Sequence, residues 1–212
     1  MQDLVKRFPG INIENLKNIF DLILSYDEGD CIQFGLIYHP TPMSNVRIQD
    51  RSEVDSTDVY FCGRAKGRYD IICNVYKKCL EMNLKCDFHV FSVPNFEMQL
   101  AGIHYDRDYM TYEKNLIHMS KAKCILEVMA PDASGFTPRL WEAIIYDKYL
   151  ITNNTKVFTS SFFNEGKIIS IDDFLGGIWN KEKICEQNQW NENIKKQLSP
   201  LNLLLFIEKQ LG

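Results

Sequence analysis

The distribution of apolar and polar positions divides the chain near residue 57. From residue 58 onward, short apolar runs alternate with longer stretches of helical period, and each switch is marked by Gly, Pro, Asp or Ser. Residues 58–62 (DVYFC) predict a strand that Gly63 ends. Residues 69–82 predict a helix with Ile72, Val75, Tyr76 and Leu80 inward, and Lys77, Lys78 and Glu81 on the solvated side. A second strand is expected over 86–93, stopped by Pro94, and a short third over 102–105. A helix over 109–120 follows, with Asp108 as its N-cap, and then a strand over 125–129. Residues 131–136 hold Pro, Asp, Ser and Gly and read as a loop. Thr137 then suits an N-cap with Pro138 at the first helical position, where a missing N–H costs nothing. That helix carries Leu140, Ala143 and Ile144 on one face and stops near Asp147. Strands over 149–152 and 167–171 follow, with Asp172 and Asp173 opening a helical turn toward Leu175. A terminal helix is expected over 193–211, with Pro200 in its first turn.

The first 57 residues are less regular. Residues 13–25 have helical periodicity through Leu16, Ile19, Phe20 and Ile23; a helical turn is expected over 30–34, then an extended prolyl segment. Residues 47–57 are polar and charged and read as a linker.

Strands separated by helices of this length indicate a parallel sheet covered on both faces. The predicted class is α/β: a doubly wound, Rossmann-like sheet of five to six parallel strands over residues 58–212, preceded by a short helical segment over 1–57. Such sheets bind ligands beyond the carboxyl ends of their strands, where strand order reverses. Two loops, 63–68 and 132–139, are thereby placed on the binding edge.

Composition narrows the function classes. The chain has 212 residues, 45% hydrophobic and 25% charged, which is ordinary for a globular protein. A formal charge of −4 argues against a nucleic-acid binder, which would present a basic face. No apolar run reaches the ~18 residues of a membrane span, and residues 1–10 lack a signal-peptide core. A cytoplasmic location is expected, and peripheral attachment to a membrane assembly is compatible with it. The seven cysteines (Cys31, Cys62, Cys73, Cys79, Cys86, Cys124 and Cys185) include no C-x-x-C pair and sit mostly in apolar segments. They read as reduced core thiols rather than zinc ligands or disulfides.

Three constellations carry candidate chemistry. In Gly63-Arg64-Ala65-Lys66-Gly67-Arg68, glycines allow close backbone approach and the cations suit phosphate oxygens. The competing reading is a solvated loop with incidental charge. The stretch is neither a P-loop nor the dinucleotide fingerprint. Around Gly135, Thr137, Arg139 and Glu142, a helix N-terminus with free backbone N–H groups would suit a diphosphate. Glu142, one turn into that helix, would suit ribose hydroxyls; the competing reading is a surface ion pair with Arg139. Asp106, Arg107 and Asp108 with Tyr105, Tyr109 and Tyr112 suit a sugar or base, but a polar helix start explains them more simply. His89 reads as a core or edge residue, and His39, His104 and His118 have no carboxylate or cysteine at metal-ligand spacing. No G-x-S-x-G nucleophile elbow is present.

Taken together these motifs resemble the carboxyl-terminal half of a two-domain glycosyltransferase of the GT-B type. More narrowly they resemble bacterial lipopolysaccharide and capsular polysaccharide biosynthesis proteins. The similarity rests on Gly63 to Arg68, Ser120-Lys121, Ile125-Leu126-Glu127, Gly135 to Ala143 (GFTPRLWEA) and Leu150 to Asn154 (LITNN). Residues 25–40 also resemble the segment joining the two halves.

The resemblance implies a domain that holds the nucleotide diphosphate of an activated sugar. Arg64, Lys66 and Arg68 would neutralise phosphates, with Gly63 close to them. Gly135 and Thr137 would bind the diphosphate, Arg139 would support it, Glu142 would reach the ribose, and Val93 would lie near the base. No metal and no further cofactor is implied, since cationic side chains and the helix terminus would stabilise the leaving diphosphate. Two features depart from the pattern. Many such enzymes carry a glutamate eight positions before the one matching Glu142, and here Ser134 stands there. Residues 1–57 also match only the last helix and connector of the family's amino-terminal domain, which supplies the acceptor site. The catalytic base is therefore unknown. The alternative is a non-catalytic nucleotide or nucleotide-sugar binding module that docks to a partner: an amino-terminal half or a second copy of the chain.

Overall fold

The computed structural model describes residues 10, 12–48, 54–65, 67–93, 99–106, 109–130, 135–164, 166–178 and 189–212. Lys66, Arg107, Asp108, Ser134 and Cys185 lie outside them.

The amino-terminal part forms a two-stranded sheet with two short helices. Helix α1 (Ile13–Lys17) is capped by the Asn12 side chain, strand β1 (Leu24–Ser25) follows, then helix α2 (Glu28–Phe34) and strand β2 (Ile37–Tyr38). The helix expected over 13–25 is thus cut short at Lys17. The apolar run around Ile23 and Leu24 instead pairs in parallel with β2, and the Ile23 and Ser25 carbonyls accept the N–H groups of Ile37 and His39. A hydrogen-bonded strand partner outweighs helical periodicity here. Ile19 and Phe20 are left exposed, at 70% and 53%.

The main sheet begins with β3 (Thr57–Arg64), followed by helix α3 (Tyr69–Glu81), β4 (Cys86–Phe91) and β5 (His104–Asp106). Next come helix α4 (Tyr112–Lys121), β6 (Ala122–Glu127), helix α5 (Pro138–Ile145) and β7 (Tyr149–Thr152). A 3-10 turn (Thr155–Thr159), β8 (Ile168–Ser170), α6 (Ile171–Leu175), α7 (Glu192–Gln197) and α8 (Pro200–Leu211) complete the chain. The six strands are all parallel and run in the order β5-β4-β3-β6-β7-β8. This is the doubly wound α/β fold that the periodicity predicts.

Successive strand residues point to opposite faces, so each strand feeds two cores. Val59, Phe61, Phe88, Val90 and Leu126 pack under α3 and α6. Tyr60, Ile125, Leu150 and Ile168 pack under α4 and α5, with Trp141 and Trp190.

Local departures from expectation have local causes. Leu80 is 53% exposed; Cys79, one residue earlier, continues the buried line of Tyr69, Ile72 and Tyr76. Helix α4 starts later than expected, with Thr111 and not Asp108 as its N-cap, because the Thr111 hydroxyl accepts the Lys114 N–H. Strand β3 runs through Gly63 and Arg64 rather than ending at Gly63, since both residues pair with β4. The terminal helix is broken in two: Ser199 caps a new helix at Pro200, whose ring cannot sit inside a continuous one.

Candidate active site

Strands β3 and β6 are neighbours whose following connections leave in opposite directions, β3 toward β4 and β6 toward β7. The loops part there, and a crevice opens beyond the carboxyl ends of both strands. It has a volume of about 530 Å³. Gly63, Arg64, Arg68, Thr137, Arg139 and Glu142 all line it, so six of the nine residues singled out from sequence meet at one place.

Each makes contacts within the protein that the sequence does not show. Arg64 is exposed, and its guanidinium lies 4.6 Å over the Tyr109 ring at the crevice mouth. Arg68 is half-buried and acts as a strap: Nε donates to the Arg64 carbonyl at 2.9 Å and Nη1 to the Val128 carbonyl. It ties the ends of β3 and β6 together. Burial lowers its pKa, as does the Arg139 charge, against the pull of Glu127. Gly67, at φ +71°, makes the left-handed turn between the two arginines.

The start of α5 is less open than its sequence suggests. Pro138 has no N–H, the Arg139 N–H goes to the Thr137 hydroxyl at 3.1 Å, and the Leu140 N–H goes to the Thr137 carbonyl at 3.2 Å. The Thr137 hydroxyl spends its own proton on Glu127. The expectation of free donors at this helix start is thus corrected for the Thr137 hydroxyl and for the Arg139 and Leu140 N–H groups. What persists is the positive end of the helix dipole.

Arg139 and Glu142 form a pair set into the crevice wall rather than on the surface. Arg139 Nη1 lies 2.5 Å from Glu142 Oε2, and Nη2 donates to the Cys62 carbonyl at 2.8 Å. Glu142 is 1% exposed. Burial works to lower the Arg139 pKa, but Glu142, Cys62 and Tyr60 together outweigh it and the net direction is upward.

Gly135 and Val93 sit elsewhere. Gly135, at φ +104°, lines a second hollow of about 340 Å³ with Asn153, Asn154 and Lys156, and Arg68 is shared between the two hollows. Val93 packs against the core under α3 and lines neither. Lys66 lies outside the described residues.

Two groups in the crevice escaped the sequence reading. Glu127 closes β6 and is 2% exposed; it accepts the hydroxyls of Thr137 and Thr152. Burial raises its pKa, opposed by those hydroxyls and by Arg139 and Arg68. The Ile-Leu-Glu strand end was the available signal. Tyr109 and Tyr112, explained more simply as a helix start, are exposed and line the crevice.

Known proteins divide sharply on how they compare. No family model matches the chain, and no curated protein does either. Solved structures do. AviGT4, a glycosyltransferase involved in avilamycin A biosynthesis, superposes with a TM-score of 0.56 at 10% identity, covering 88% of this chain and 61% of that one. The lipopolysaccharide outer core galactosyltransferase WaaB in its apo form gives 0.54 at 14% identity, covering 92% and 62%. Over most of its length the chain shares the parallel α/β fold of these glycosyltransferases. It spans about three fifths of the length of these neighbours. Among the described residues no helix is long and apolar enough to cross a membrane.

Proposed function

We propose that the chain binds the nucleoside diphosphate of a nucleotide sugar in the β3–β6 crevice and serves as the donor-binding part of a glycosyltransferase of surface polysaccharide or lipopolysaccharide assembly. The observation that carries this reading is the convergence of Arg64, the α5 amino terminus and the exposed Tyr109 and Tyr112 on one crevice at the switch point of the sheet. Arg64 would meet the diphosphate, aided by Lys66 and by the dipole of α5, while a tyrosine face would stack on the base or sugar. Glu142 would reach the ribose only by loosening its grip on Arg139. Val93, away from the crevice, drops out of the proposed contacts, and Gly135 would serve through the adjoining hollow. Among relatives by fold, a lipopolysaccharide galactosyltransferase supports the pathway class.

A second reading is a non-catalytic nucleotide-sugar module that works by docking to a partner, an amino-terminal half or a second copy. Ile19, Phe20 and Ile32 on one end, and Leu201, Leu204 and Leu205 on α8, are all more than half exposed, which supports a covered surface in the working assembly.

Thermal melts with millimolar UDP, GDP, CMP and TDP test the first reading. At about 100 times Kd one of them should stabilise the fold by ~2.7 kcal/mol, and Arg64→Ala should diminish that gain. Absence of a shift with all four would overturn it. Release of nucleotide from a nucleotide-sugar panel by the chain alone would separate an enzyme from a docking module.

A further inference from the structure

On the sheet face under α4, away from the crevice, a carboxylate and an imidazole of one strand meet a second imidazole from a helix 31 residues beyond the carboxylate. Asp87 and His89 are two residues apart on β4, so both leave the same face of the sheet. Helix α4 lowers His118 onto them. Asp87 Oδ1 lies 2.9 Å from His89 Nε2, and Asp87 Oδ2 lies 2.7 Å from His118 Nδ1. All three candidate ligand atoms fall within 4.8 Å of one another. The pocket is nearly dry: the Asp87 and His89 side chains are each 9% exposed and His118 22%, which leaves an entry beside His118.

We propose that Asp87, His89 and His118 bind a divalent transition-metal ion of the zinc class. Two imidazoles and a carboxylate, from a strand and a helix, make the nitrogen and oxygen set that zinc takes at about 2.0–2.2 Å, with a fourth position for water. Ligands at that radius stand about 3.3 Å apart in a tetrahedron. The Asp–His contacts must therefore open by about half an ångström and the two histidines draw together, which side-chain rotation supplies. Each ring would switch to its other neutral tautomer, its proton moving to the far nitrogen, so the ion replaces two hydrogen bonds with coordinate bonds. The carboxylate balances one of the two positive charges. Its role would be structural, clamping α4 to β4. Because α4 also carries Tyr112 and Asn115 into the crevice, the clamp would hold that wall in place.

The test uses tag-free protein stripped with a chelator and then titrated with Zn²⁺ or Co²⁺ alone. One ion per chain should bind, the melting temperature should rise, and Co²⁺ should develop the visible d–d absorption of a four-coordinate nitrogen and oxygen site. Asp87→Asn, which keeps the size and one acceptor, and His118→Gln, at the exposed corner, should both abolish the absorption while circular dichroism stays unchanged. No absorption in the wild type would overturn the proposal. So would absorption unaltered in both variants, or a thiolate-to-cobalt charge-transfer band, which would assign the ion to cysteines.

Discussion

Removing the Glu142 side chain should strain the fold in a way a surface charge could not. Its carboxylate is 1% exposed and lies 2.5 Å from Arg139 Nη1. Glu142→Ala would leave the guanidinium with the Cys62 carbonyl, 2.8 Å from Nη2, as its hydrogen-bond partner among the described residues. Breaking a buried pair from one side costs about 3–5 kcal/mol, because a desolvated charge is left behind. The Arg139 side chain is 23% exposed, so water recovers part of this, and the lower end, ~3 kcal/mol, is the expected loss. For a chain of 212 residues that corresponds to a fall in Tm of about 6–12 °C. Arg139→Met with Glu142→Leu removes both charges at similar volume and should return stability to within ~1 kcal/mol of the wild type. Urea unfolding of the two variants, with the slope m checked for constancy, measures both numbers. A loss below ~1 kcal/mol for Glu142→Ala, or a double variant no better than the single one, would show that the pair is solvated and the argument wrong. The result also bears on ligand tests: a Glu142 variant confounds weakened binding with weakened folding, so Arg64 is the cleaner probe of the crevice.

Arg64 and Arg68, four residues apart, should respond differently to alanine. Arg64→Ala loses an exposed cation–π contact and should cost less than ~1 kcal/mol, whereas Arg68→Ala cuts two charge-assisted bonds to carbonyls and should cost about 1.5–3 kcal/mol in the same urea assay. Glu127 should impart a pH dependence. Burial raises its folded pKa above the ordinary 4.5, so the folded state holds the proton longer than the unfolded one; stability should therefore fall as pH rises from about 4.5 through the raised value. Glu127→Gln should flatten the stability profile above about pH 4.5, and an unchanged profile would refute it. Gly102→Ala should cost about 1–3 kcal/mol, since its φ is +87° and a Cβ would stand 2.2 Å from the Tyr76 hydroxyl, which donates to the Ala101 carbonyl. Gly67→Ala, at φ +71° with nothing within 4 Å, should show only the left-handed penalty of about 1–2 kcal/mol.

Much of the fold could be read from the chain because its signals are local. A strand, a breaker loop, Thr137 as cap and Pro138 as first residue specify α5 without reference to anything distant, and the structure forms it so. Regular alternation of strand and helix then leaves few topologies open. Failures occur where a distant partner decides. Leu24 joins a strand because Ile37 lies beside it. Leu80 turns outward because the buried line of α3 runs through Cys79, and a cysteine scores as weakly apolar although it packs well. The break at Pro200 was foreseeable in kind, but continuous apolar spacing on both sides concealed it.

Six of the nine candidate residues gather at one crevice, but the sequence did not show the contacts they make within the protein, and the reason is hydrogen bonding. Sequence shows which donors exist, not which are already engaged. Arg64 and Arg68 are the same residue type four positions apart, yet one keeps its guanidinium at the crevice mouth and the other gives two donors to carbonyls at the ends of two strands. Thr137 caps its helix as expected, and the same hydroxyl then faces Glu127, a carboxylate ten residues earlier. A buried carboxylate at the end of β6 thereby holds the Thr137 hydroxyl at the helix start that anions would approach. Any ligand held there must either displace the Thr137–Glu127 contact or bind over it through Arg64 and the helix dipole. The second course leaves the hydrogen bonds of Thr137 and Arg139 intact, which favours a ligand seated at the crevice mouth beside Tyr109 over one driven into the Thr137 turn.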